Sequence, residues 1–296
     1  MAAQIIDGKQ VAADMRAELK DTVAKLKEEG VVPGLAVVLV GEDPASKSYV
    51  TAKEKACAEI GIYSDDNRLS AETSQEDLMA LIDKLNKDPK INGILVQLPL
   101  PKHLNEGEVL LAINPNKDVD GFHPMSVGKM VVGEDTFLPC TPHGILQLLK
   151  RSNVKTEGAE VAVVGRSNIV GKPVANLLIQ KNDMGNATVT VCHTRTKDLA
   201  EHCRRADIVI AAAVRPNTIT ADMVKDGVVV IDVGVNRVED ASKKRGYRLV
   251  GDVDFESVKE KASLITPVPG GVGPMTITML LYNTVESARR AALGKT

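Results

Sequence analysis

Four short apolar runs, Val161 to Val164, Ala187 to Cys192, Asp207 to Val214 and Gly227 to Val235, follow one another with helical or turn segments between them. Strands that read as continuous apolar runs are covered on both faces, which is the habit of parallel sheets. The series therefore predicts an α/β fold with a doubly wound parallel sheet in this part of the chain. The first half repeats the pattern. Val11, Met15, Leu19, Val23 and Leu26 recur at helical spacing up to a Gly30 stop, and Leu35 to Val40 is a buried-strand run ended by Gly41. Helices are predicted over about 45 to 60 and Gln75 to Asn86, then a second buried strand over Gly93 to Leu98, ended by Pro99.

Proline clusters near 140 to 150 and 265 to 275 coincide with the changes of pattern. They predict two α/β lobes with a cleft between them, one formed by 1–140 plus 275–296 and the other by 141–274. A last helix over about 276 to 292 returns to the first lobe. A length of 296 residues accommodates two domains. Lys+Arg 37 against Asp+Glu 39, scattered along the chain, gives no field that gathers nucleic acid or anionic membrane. Four Tyr, three Phe and no Trp are too few for base-stacking platforms. Cys57, Cys140, Cys192 and Cys203 form no C-x-x-C pair, and the N-terminus lacks a basic region followed by an apolar run, so a reduced, cytoplasmic chain is expected. The longest uncharged apolar stretch, Val31 to Gly41, falls short of the roughly 20 residues that span a bilayer.

Three constellations carry chemistry. Val161 to Pro173 reads as strand, glycine turn at Gly165, second glycine at Gly171 and proline near a helix start. A phosphate can sit on the amides of such a helix, although a plain strand-turn-helix has the same outline. Ser167 stands where a Rossmann-type fingerprint has its second glycine. The next strand ends in Cys192-His193-Thr194-Arg195, where an NAD site usually has a carboxylate for the ribose 2′-OH. With Arg166, these residues suit a 2′-phosphate and favour NADP, while a solvated loop remains the alternative for His193 or Arg195 taken singly.

The second constellation is the helix stripe Tyr49, Ala52, Lys53, Ala56, Cys57 and Ile60, apolar or amphipathic except for Lys53. Lys53 is either a snorkelling residue at the core edge or a partly desolvated amine suited to proton transfer. The third comprises Gln97, at the C-terminal end of a buried parallel strand, and Asp118 and Asp120 in KDVDG. These aspartates are either turn formers or, for Asp120, a grip on paired N–H groups of a heterocycle. No His/Cys/Asp cluster has metal spacing, and no Gly-x-Ser-x-Gly or P-loop occurs.

Tyr49-x-x-x-Lys53, VQLPLP (96–101), KDVDG (117–121), PCTP (139–142), VVGRSNIVGKP (163–173) and PVPGGVGPMT (267–276) occur in that order. Together they resemble the bifunctional methylenetetrahydrofolate dehydrogenase/methenyltetrahydrofolate cyclohydrolase family across about residues 5 to 288. Thr194 stands where family members often have Ser. The resemblance implies NADP-dependent oxidation of 5,10-methylenetetrahydrofolate, then hydrolysis to 10-formyltetrahydrofolate, in one-carbon metabolism and purine biosynthesis. It implies a catalytic Lys53 modulated by Gln97, a Tyr49 that stacks on folate and an Asp120 that grips the pterin. Val96, Leu98, Gly273 and Pro274 would line the folate pocket. Gly165, Arg166, Ser167, His193, Thr194, Arg195, Val235 and Thr276 would hold NADP, with no metal, in a cytoplasmic homodimer. A monofunctional dehydrogenase, a non-catalytic NADP-binding regulator, and an amino-acid or shikimate dehydrogenase of similar two-lobed build are the competing readings.

Overall fold

Parallel pairing of apolar strands organises both halves of the chain in the computed structural model, which describes residues 3–243 and 246–294. Two units emerge. One holds the chain as far as Ala12 together with Thr141–Thr276, and the other holds Ala13–Cys140 with the chain from Ile277 on.

The first half runs β1 (Gln4–Ile5), α1 (Gly8–Glu28), β2 (Gly34–Val40), α2 (Pro44–Ile60), β3 (Tyr63–Leu69), α3 (Gln75–Lys87), β4 (Gly93–Val96), α4 (Glu106–Ala112), α5 (Pro124–Val132) and α6 (Cys140–Arg151). Its sheet has the order β3-β2-β4, all parallel, with every residue of β2 buried at the centre. Leu78, Ile82 and Leu85 of α3 pack on Ala36, Val38 and Val40 of β2. The strand β3, Tyr-Ser-Asp-Asp-Asn-Arg-Leu, was not anticipated. Its pairing with β2 over all seven residues, rather than an apolar run, makes it a strand, and as the edge of the sheet it tolerates polar side chains.

The second half runs β5 (Glu160–Val164), α7 (Gly171–Leu178), β6 (Thr188–Cys192), α8 (Leu199–Arg205), β7 (Ile208–Ala211), β8 (Val229–Asp232), β9 (Asn236–Glu239), β10 (Tyr247–Val250), α9 (Phe255–Val258), β11 (Leu264–Ile265) and α10 (Val272–Ala292). Six parallel strands lie in the order β1-β11-β8-β7-β5-β6, over a core that includes Ala162, Val164, Val209, Val230, Val253 and Ile265.

Three expectations need correction here. The first twelve residues, assigned by sequence to the N-terminal lobe, cluster with the second, because Gln4–Ile5 pairs with Leu264–Ile265 as an added strand. β6 is not fully buried: it is the outermost strand, and Val191 remains 39% exposed. The last helix starts at Val272, four residues early, because Pro274 sits in its first turn, where no amide is needed for an intrahelical bond.

The later part of α10 braces the loop after α4. Asn283 Nδ2 donates to the Val119 and Leu138 carbonyls at 2.8 and 3.0 Å, and Ser287 Oγ donates to those of Asn92 and Asn116 at 2.6 and 3.0 Å. Both side chains are buried, so these bonds fix the backbone on either side of Asp118 and Asp120.

Candidate active site

Helix α2 starts where Asp43 accepts from the Ser46 amide at 2.7 Å and Pro44 occupies the first turn. Its buried stripe is Val50, Lys53, Ala56, Cys57 and Ile60. Val50, not the Tyr49 expected on this face, completes the stripe; Tyr49 is 50% exposed, its ring presented to solvent one turn before the lysine. Lys53 is 8% exposed, and burial pulls its amine below the ordinary lysine range, against the opposing pull of the Asp120 charge.

Lys53 Nζ donates to Gln97 Oε1 at 2.9 Å. Gln97 follows β4 at the C-terminal end of the sheet, and its own Nε2 donates to the Leu98 carbonyl at 2.7 Å. That second bond settles the orientation of the carboxamide, so its oxygen must face the amine. Val96 is buried at the end of β4 and Leu98 is half-buried beside the same turn.

The two aspartates of KDVDG have different roles. Asp118 is the turn former: its carboxylate accepts from the Phe122 and His123 amides at 3.2 and 2.8 Å and from Ser126 Oγ at 2.7 Å. Asp120 is left to face Lys53 and Cys140. Solvent still reaches part of Asp120, but protein surrounds its carboxyl, and burial raises its pKa to about 6 despite the favourable charge of Lys53. The native carboxyl thus keeps its proton to about pH 6, whereas the unfolded one releases it near 3.8. Across that window the folded state binds more protons, so stability falls as pH rises and the full cost persists above it. We expect Asp120→Asn to stabilise the fold at pH 8 by about 1–3 kcal/mol, a gain that vanishes below pH 4. Melting curves at both pH values check this; a gain equal at pH 8 and pH 3.5, or none at pH 8, would contradict it.

In the six-stranded sheet, β6 and β7 flank β5 on opposite sides, so the chain order reverses at β5, where open α/β sheets bind ligands. Gly165 occupies that point with φ +136, and a Cβ there would lie 2.1 Å from the Ala212 carbonyl oxygen, so no side chain fits. The Gly165 amide donates to the Cys192 carbonyl at 2.9 Å, which places Arg166 and Ser167 beside His193-Thr194-Arg195 at adjoining strand ends. Arg166, Ser167, Thr194 and Arg195 are exposed, and His193 is half-buried.

The expectation of a phosphate on the α7 amides is corrected. Ser167 Oγ accepts from the Val170 and Gly171 amides at 3.1 and 3.3 Å, the Lys172 amide goes to the Ser167 carbonyl, and Pro173 has none. The helix start is satisfied internally, so the exposed side chains of Arg166, Thr194 and Arg195, rather than the α7 amides, are placed to meet an anion here. Two guanidinium groups at a strand end without a carboxylate fit a dinucleotide that carries a 2′-phosphate. Val235 is 48% exposed in the loop after β8. Gly273, Pro274 and Thr276 lie in the first turns of α10, with Thr276 Oγ1 2.9 Å from Thr141 Oγ1.

Residues 6–120 match the tetrahydrofolate dehydrogenase/cyclohydrolase catalytic domain, and residues 139–292 match the NAD(P)-binding domain of the same family. The chain belongs to the tetrahydrofolate dehydrogenase/cyclohydrolase family. The bifunctional protein FolD of Moorella thermoacetica is 61% identical over 290 residues, covering 98% of this chain and 100% of that one. The bifunctional enzyme FolD from Campylobacter jejuni superposes with a TM-score of 0.92 at 50% identity, over 98% of this chain and 100% of that chain. The Trypanosoma brucei methylenetetrahydrofolate dehydrogenase-cyclohydrolase, solved in complex with NADP cofactor and inhibitor, gives 0.93 at 41% identity, over 99% of both chains.

Within this tetrahydrofolate dehydrogenase/cyclohydrolase chain, sequence reasoning missed Cys140 as a neighbour of the Lys53–Asp120 pair. Its Sγ donates to the Val119 carbonyl at 3.4 Å, and burial together with the Asp120 charge pushes the thiol well above its usual range, so it stays protonated. The PCTP motif was its only signal. Among the described residues all four cysteines are free and buried, no group of His, Cys, Asp and Glu could hold a metal ion, and no helix is long and apolar enough to cross a membrane.

Proposed function

We propose that the protein is a bifunctional folate enzyme that oxidises 5,10-methylenetetrahydrofolate to 5,10-methenyltetrahydrofolate with NADP and then hydrolyses the product to 10-formyltetrahydrofolate. The observation that carries the reading is the buried, pKa-lowered Lys53 amine, bonded to an orientation-locked Gln97 and facing Asp120. When bound, NADP supplies the oxidised nicotinamide that accepts the hydride. Arg166, Ser167, His193, Thr194 and Arg195 are its 2′-phosphate side, and Gly165, Val235 and Thr276 its remaining contacts.

In the hydrolytic step, water bonds to the cationic methenyl carbon and gives up a proton to the Lys53 amine. The bond from that carbon to N5 then breaks as the new hydroxyl gives up its proton to become the carbonyl oxygen and N5 takes a proton, leaving the formyl group on N10. A cationic substrate disfavours protonated Lys53, adding to the burial that already lowers its pKa. Gln97 holds the amine in place by accepting from it. Tyr49 offers its exposed ring to the folate, Asp120 takes the pterin N–H groups, and Val96 and Leu98 line the pocket.

We extend the reading to a homodimer working in the cytoplasm and supplying the formyl donor that purine biosynthesis consumes. Four unpaired cysteines suit a reducing compartment.

Purified protein given 5,10-methylenetetrahydrofolate with NADP⁺ or NAD⁺, with NAD(P)H and methenyl absorbance followed separately, tests the reading. NADPH should form without matching build-up of the methenyl compound. Its stoichiometric accumulation would indicate a monofunctional dehydrogenase, and no reduction of either dinucleotide would overturn the proposal.

A further inference from the structure

Two buried carboxylates in the six-stranded unit have no part in the reading above. Asp252, fully buried, accepts four hydrogen bonds: Ala213 N at 2.6 Å and Val214 N at 2.9 Å on Oδ2, Arg215 N at 2.8 Å and Asn236 Nδ2 at 2.9 Å on Oδ1. Asp232, at the end of β8, accepts from the Gly234, Asp252 and Val253 amides at 3.1, 2.9 and 3.0 Å. The backbone at Gly251 runs so close that a Cβ there would fall 1.7 Å from Asp232 Oδ2. The donors named here are all neutral amides, and they tie the segments that follow β7 and β8 to the one that follows β10.

The Ala213–Arg215 segment has an unusual conformation. Val214 has φ +54 although it is β-branched, and its side chain is 73% exposed, so core packing does not hold it there. Three consecutive amides converging on one carboxylate do. A left-handed β-branched residue is strained, and such strain persists only where its surroundings over-determine it. The segment directly follows Ala212, whose carbonyl abuts Gly165 at the sheet's switch point. Through Asn236, the same carboxylate reaches the residue next to Val235.

We propose that Asp252 is a positioning residue for dinucleotide binding, its carboxylate holding the Ala213–Arg215 loop and the Val235 segment as a preformed wall of the cofactor crevice. A loop already ordered in the free protein loses less entropy on binding, and the strain at Val214 is the cost of that order. This rests on the reading that NADP binds at the Gly165–Ser167 turn.

Asp252→Asn keeps the size of the side chain but turns one acceptor oxygen into an NH₂ aimed at donors. Calorimetry should show NADP binding at least tenfold weaker with folate affinity within twofold of the parent. Hydrogen exchange should show faster exchange of the 213–215 amides in the free protein. Asn236→Ala, which removes the Nδ2 donor to Asp252 Oδ1 and to the Gly251 carbonyl but leaves the 213–215 amides their carboxylate, should weaken NADP about threefold, and it decides the matter if Asp252→Asn does not fold. NADP affinity within twofold of the parent in the folded variants, or equal loss of NADP and folate binding, would overturn the inference. Arg166→Ala separates the two failures. If it weakens NADP while Asp252→Asn does not, the positioning role alone is lost; if neither does, the placement of the dinucleotide is wrong and the inference falls with it.

Discussion

Lys53→Met is expected to fold as the parent does and to lose methenyltetrahydrofolate hydrolysis by at least about 10²-fold, the usual contribution of a positioned general base. Methionine keeps most of the volume of the lysine stem in the buried stripe of Val50, Ala56, Cys57 and Ile60, so the helix has no cavity to collapse around. What disappears is the amine 2.9 Å from Gln97 Oε1. Hydride transfer asks for no proton from an acid or base, so dehydrogenase activity should survive in part and the methenyl compound should accumulate. Following NADPH and methenyl absorbance in one reaction reads both steps. Hydrolysis at the parental rate in a folded Lys53→Met protein would return Lys53 to an ordinary helix residue with its stem along the core.

The second large effect is expected at Arg166. Arg166 stands exposed beside a strand end that carries Thr194 and Arg195 and no carboxylate, so its guanidinium is placed to pair with the 2′-phosphate that NADP has and NAD lacks. Removing it should cost about 1.5–3 kcal/mol of NADP affinity, roughly 10- to 150-fold, and hardly change NAD. Calorimetry of Arg166→Ala with both dinucleotides measures the difference. A change of less than twofold for NADP would place the 2′-phosphate elsewhere, and equal loss for both would mean that the turn itself had been damaged. Arg195, farther along the adjoining strand end, should show a smaller loss when replaced by alanine.

Hydrophobic periodicity made the central strands legible. β2, β4, β5, β7 and β8 are buried along their whole length or nearly so, and a continuous apolar run says as much without any partner being known. Strands that exist because of a neighbour did not show themselves. Tyr63–Leu69 carries two aspartates and an arginine and is a strand only through its register with β2, while β1 and β11 are two residues long, β11 lying between β1 and β8 and β1 depending on a pairing across about 260 positions of sequence.

The site divides along the same line. Lys53 and Gln97 could be singled out because one interrupts an apolar stripe and the other ends a buried strand, yet nothing local says that their side chains meet across 44 residues. Asp118 and Asp120 looked alike in sequence. Only the turn reveals that one carboxylate is consumed by the Phe122 and His123 amides and by Ser126, and that the other faces the amine. Asp252 had no sequence signal at all, because its partners are backbone amides, which every residue but proline offers.

The central claim is that Lys53 is an amine whose burial makes it a proton acceptor. Its ionisation can be read directly by an NMR titration of the lysine side-chain Cε resonances in ¹³C-labelled protein, with Lys53→Met assigning the signal. The account predicts that the Lys53 resonance titrates below the ordinary value of about 10.4, apart from the surface lysines. A Lys53 resonance that titrates together with the surface lysines would contradict it.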